Sequence, residues 1–138
     1  MQFQTFVNEK KSTVTVKAID PMSEYLAEFC NFYKKMNSYP DMAVFDEFVE
    51  TYGKQIRKMA GIATCNTEAG DIFDFEFGAA LAYERYLKVF ETYRINMYKM
   101  ILIKVDSIGT IAAERLAHCV DRRCDREDRI DAITSRVD

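Results

Sequence analysis

Several residue types are scarce in this chain, and each scarcity removes a class of function. Histidine occurs once, at His118, with no serine or cysteine that the sequence pairs with it, so a nucleophilic triad has no support. Four cysteines, Cys30, Cys65, Cys119 and Cys124, form no CxxC pair and no disulfide framework, which suits reduced thiols in a cytosol. On a helix His118, Cys119 and Cys124 would point in divergent directions, a poor set of metal ligands. The longest apolar run, around MILIKV, falls far short of the roughly 20 residues that span a bilayer. The N-terminus has neither a basic nor an apolar signal region. With a net charge of −3 and a pI near 5.3, long-range electrostatics offers a duplex or an anionic membrane no attraction. Any anion site must be local.

What is present is ample for a fold. At 138 residues, 49% of them hydrophobic, the chain can bury one domain's core. QFQTFV (2–7) and TVTVKAI (13–19) alternate and are separated by polar NEKKS, which predicts a β-hairpin. Asp20 before Pro21 is an N-cap followed by the residue that tolerates the first helical position, so a helix begins there. Met22, Tyr25, Leu26, Phe29, Cys30, Phe32, Tyr33 and Met36 form its apolar stripe. A second amphipathic helix carries Val44, Phe45, Phe48, Val49 and Tyr52 and is expected to stop at Gly53. QIRKMAGIATC (55–65) then reads as a third strand, with Gly61 a candidate bulge.

Beyond Asp71 or Asp74 there is no proline, and only Gly78 and Gly109 interrupt a helix that could exceed forty residues. Such a helix would be on the order of 60 Å long. Tyr83, Leu87, Phe90, Met97, Ile101, Ile108 and Ile111 follow a 3-4 spacing broken by Arg94 and Lys104. A stripe of that length calls for another copy as its cover, or for a helical hairpin turning near DSIGT. The charge-alternating tail from Asp121 to Asp131 suits a solvated helix face. The fold class is therefore α+β, mainly α: a small antiparallel sheet, two amphipathic helices and a long C-terminal helix. Residues 1–70 make the α+β unit and 71–138 the long helical region, part of the same single domain and used for assembly.

GDIFDFEFG (70–78) offers Asp71 and Asp74 as N-caps. Phe73 and Phe77, four apart, should share a core face and leave Phe75 free to touch a ligand or subunit. Gly78, Ala79, Ala80 and Ala82 keep one face small, so a strand such as GIATC can approach. Arg85 among Tyr83 and Tyr86 is either a surface arginine or an anion contact. The pattern C-x5-D-x-F-D-x3-G-x2-L-A-x2-R, made by Cys65, Asp71, Phe73, Asp74, Gly78, Leu81, Ala82 and Arg85, resembles a motif of small proteins from phages of Gram-positive bacteria. One similar group is the Thoeris anti-defence type, which binds cyclic nucleotide immune signals without cleaving them.

That resemblance implies a non-enzymatic protein in the host bacterial cytoplasm, with a cyclic nucleotide as its partner and no cofactor or metal. Inhibitors of CRISPR-Cas effectors share the size and acidic balance, so a host defence protein is the alternative partner. Stacking a base, holding phosphates and reading a base edge require aromatics, arginines and an amide. Arg57, Phe75, Arg85, Tyr86 and Asn96 are the residues expected to line such a site at a subunit boundary. No Walker loop, HExxH or HxE with PCxxC accompanies them.

Overall fold

The computed structural model describes residues 1–65 and 74–135. β1 (Phe3–Asn8), β2 (Thr13–Ala18), α1 (Pro21–Lys35), α2 (Met42–Lys58), β3 (Gly61–Thr64) and α3 (Phe75–Ser135) follow in chain order. The sheet is antiparallel with order β1-β2-β3, so the fold is α+β and mainly α. The chain divides into two compact units, 1–100 and 101–138. The division falls inside α3, after Met100. Its physical reason is that the first part of α3 belongs to the core of the first unit, burying Ala82, Tyr86 and Met97 there.

Alternation along β2 buries Val14 and Val16 and leaves Thr15 and Lys17 on the other face. Asp20 caps α1 as its position before Pro21 predicts: its carboxylate accepts from the Ser23 amide at 3.2 Å and the Ser23 hydroxyl at 2.6 Å. Only Tyr25 and Phe29 of the α1 stripe are fully buried, while Leu26 and Met36 stay exposed. α2 does not stop at Gly53. Ile56, fully buried, continues the stripe of Phe45, Phe48, Val49 and Tyr52 by one more turn, and that burial holds the helix together to Lys58 where a glycine alone would not end it. The third strand is correspondingly shorter than 55–65, and Arg57 and Lys58 lie on a helix.

Asp74 caps α3, accepting from the Phe77 amide at 3.2 Å. Asp71 and Phe73 lie outside the described residues. Phe77 is not a core residue: 69% of it is exposed, because the face of α3 turned to the sheet is the small one. A Cβ built on Gly61 would overlap the Ala82 carbonyl oxygen and stand 2.6 Å from the Tyr86 nitrogen. One on Gly78 would stand 3.0 Å from a methyl of Val14. Glycine is thus required where β3 meets α3, and Gly61 makes a close approach rather than a bulge.

The long apolar stripe resolves into two parts. Tyr86 and Met97 are buried within the first unit itself, so these positions need no second copy to cover them. In the second unit Leu102, Val105, Ile108, Ile111, Leu116 and Val120 are each more than half exposed. No turn interrupts α3 near DSIGT.

Candidate ligand-binding cleft

The hairpin has an outer face and a core face. Pairing places Gln4 opposite Lys17 and Phe6 opposite Thr15, on the side away from Val14 and Val16. Phe6 is 52% exposed there, an aromatic ring that the core does not use. Where β2 runs into α1, this face opens into a cleft of about 480 Å³ lined by Gln4, Phe6, Lys17, Asp20, Met22 and Arg57. Three different elements, β1, β2 and the last turn of α2, bring the amide, the ring and the two cations together.

The charges of the cleft are unequal in their commitments. Asp20 is engaged by Ser23, whose hydroxyl and amide hydrogen bonds hold the carboxyl below its ordinary value, so it is ionised at neutral pH. Neither Arg57 nor Lys17 forms an ion pair among the described residues. An arginine presents a planar fork suited to two phosphate oxygens and a lysine a mobile point charge. A ring stacked on Phe6 would leave the Gln4 amide, both donor and acceptor, at its edge. The arrangement can hold a planar anion. It contains no nucleophile with a base to activate it.

A second cleft of about 420 Å³ lies between α1 and α3, lined by Glu28, Asn31, Phe32, Phe90, Arg94 and Tyr98. Its arginine is committed. Arg94 Nε donates to both Glu28 oxygens at 2.6 and 2.9 Å, and Nη1 to both Glu91 oxygens at 3.0 and 3.2 Å. These carboxylates keep the guanidinium charged against partial burial, and they occupy its Nε and Nη1 donors.

The five residues expected at the site do not converge within one chain. Arg57 alone lines the outer-face cleft. Phe75 opens α3 and is 48% exposed, whereas Asn96 lies roughly 30 Å further along the same helix at 1.5 Å rise per residue. Arg85 has a structural task, its Nη1 donating to the Ile62 carbonyl of β3 at 2.6 Å. Tyr86 is a core residue, 1% exposed, with its ring 5.6 Å from that of Phe3. Its position four after Ala82 carries it inward beside the small face, where no ligand reaches it. Gln4, Phe6 and Lys17 line the cleft beside Arg57 and are not among the residues that the sequence singles out. A phenylalanine two residues from a glutamine that pairs with a lysine, all on the outer face of a hairpin, was the signal available.

Among the described residues no group of three or more histidine, cysteine or acidic side chains is placed to hold a metal ion, and all four cysteines are free thiols. No helix there is long and apolar enough to cross a membrane. No protein-family model, curated protein or solved structure matches the chain.

Proposed function

We propose that this chain is a sequestering protein that holds a cyclic nucleotide signal in the Arg57 cleft and releases it uncleaved, as its resemblance to phage anti-defence proteins implies. The observation that carries the reading is the pair of cations without carboxylate partners, Arg57 and Lys17, beside the exposed ring of Phe6. A phosphate takes the guanidinium fork, the base stacks on Phe6, and Gln4 reads an edge of the base.

A melting panel of cyclic nucleotides tests it. A member present at 100 times its dissociation constant stabilises the fold by about 2.7 kcal/mol. Arg57→Ala removes a charge-assisted contact worth roughly 1.5–3 kcal/mol, a ten- to hundredfold loss of affinity, and leaves the ligand-free melting temperature where it was. Arg85→Ala leaves affinity unchanged. A panel without any shift, or an Arg57→Ala protein that binds as the parent does, refutes the placement.

The exposed apolar positions of the second unit favour a second reading, in which α3 seats a protein: another copy of this chain or a host defence protein such as a CRISPR-Cas effector. Replacing Leu116 and Val120 together with Glu abolishes that association and leaves the first unit's stability unchanged.

A further inference from the structure

The two edges of the sheet are treated differently. On β3 the Ile62 carbonyl is taken by the Arg85 guanidinium, a side chain laid along the edge. On β1 no described residue does the same. The Ile19 amide donates to the Gln2 carbonyl at 3.0 Å, which extends the β1–β2 register of Phe3 with Ala18 by one hydrogen-bonded pair. Such pairs alternate along an antiparallel ladder. Gln4 and Phe6 therefore exchange bonds with Lys17 and Thr15, while Phe3, Thr5 and Val7 direct their N–H and C=O groups at the free edge.

Natural sheets blunt such an edge with charge, proline or a bulge. β1 has none of these: from Phe3 to Asn8 it reads FQTFVN without a charged side chain, and its register with β2 is unbroken. Every position after Phe3 is exposed, including Phe6 and, at 42%, Val7.

From this we infer that β1 pairs antiparallel with β1 of a second copy about a two-fold axis at Thr5, making one six-stranded sheet and joining two Arg57 clefts across its outer face. The register is self-complementary. Phe3, Thr5 and Val7 of one strand meet Val7, Thr5 and Phe3 of the other, so the outward groups of each strand find those of its partner. The same register lays Phe3 beside Val7 of the partner subunit on the core side, covering two partly exposed apolar residues. On the outer side Phe6 stands opposite the partner subunit's Gln4, so each cleft gains an amide from the other chain. Uncharged strands bring no like charges together.

The joining of the clefts rests on the reading of the Arg57 cleft as a ligand site. The pairing of the strands does not. Light scattering on the ligand-free chain tests the pairing alone, with Thr5→Lys and Thr5→Glu as variants. Facing Cα atoms in a hydrogen-bonded pair are about 5.5 Å apart, so each variant sets two like charges against each other at the axis. Each alone should halve the parental mass, and an equimolar mixture of the two should restore it. A parental chain that is monomeric, a mass unchanged in both variants, or a mixture that stays at half mass overturns the proposal. Should either charged variant fail to fold, Thr5→Pro replaces it, since that nitrogen faces the free edge and not β2. A folded Thr5→Pro protein of parental mass overturns it equally. Assembly that survives all three variants belongs to another surface, such as the second unit of α3. If the masses behave as expected but no nucleotide shifts the parent's melting, the strand pairing stands and the ligand reading falls.

Discussion

Replacing Gly61 with alanine isolates the contact on which the first unit depends. A Cβ at this position would sit on the Ala82 carbonyl oxygen and 2.6 Å from the Tyr86 nitrogen, the acceptor and donor that helical geometry pairs four residues apart. Both are backbone atoms in the middle of a helix, so neither can rotate away. The strand must retreat, and with it the pairing of Gly61 with Val16 and the Arg85 bond to Ile62. Overpacking alone costs about 1–3 kcal/mol, and loosening a charge-assisted hydrogen bond that is largely exposed adds less than one. Taken together, a loss of about 3 kcal/mol is expected. For a unit near 100 residues each kcal/mol moves the midpoint by roughly 4–8 °C, so thermal unfolding followed by circular dichroism should show a fall of roughly 12–24 °C. Gly109→Ala is the matched control. Nothing lies within 4 Å of a Cβ there, and alanine in a helix interior should stabilise by about 0.5–1 kcal/mol. If Gly61→Ala melts within a degree or two of the parent, the close approach of β3 to α3 is wrong.

Two buried tyrosines should respond unequally to loss of the hydroxyl. Tyr25 donates to the Phe90 carbonyl at 2.8 Å, so Tyr25→Phe should cost about 1 kcal/mol; the buried Tyr86 hydroxyl has only a contact with the Ala18 backbone that falls short of a well-formed hydrogen bond, so Tyr86→Phe should cost less than Tyr25→Phe by urea titration. Burial, reinforced by Tyr86, Tyr93, Glu91 and Glu28, pushes the Tyr25 hydroxyl far above its ordinary value. The folded chain therefore keeps a proton that the unfolded chain releases near pH 10, and this stabilisation, complete below pH 10, is lost as pH rises further. Tyr25→Phe should flatten that alkaline decline, and an unchanged decline would show that Tyr25 does not cause it. Phe77→Ala, at a site 69% exposed, should change stability by less than about 1 kcal/mol, whereas a loss of 3 kcal/mol by the same titration would put Phe77 in the core.

The sequence by itself determined the elements. Alternation marks the hairpin, Asp20 before Pro21 opens α1, and the proline-free run after Asp74 sustains α3; each is a signal among near neighbours in the chain. It also foretold that the glycine and alanines opening α3 admit a strand. Where α2 ends was not legible, since Gly53 punctuates the sequence while Ile56 is held by burial under residues far away in the chain. Of the residues lining the candidate cleft, only Arg57 was legible. Tyr86 and Asn96 share a helix with Phe75, but the direction each side chain takes depends on what packs against α3, and only the tertiary structure supplies that. It turned Tyr86 inward against Phe3 and committed Arg85 to Ile62. It also brought Gln4, Phe6 and Lys17 beside Arg57, because a cleft is made where separate elements meet and no local pattern records which elements will meet.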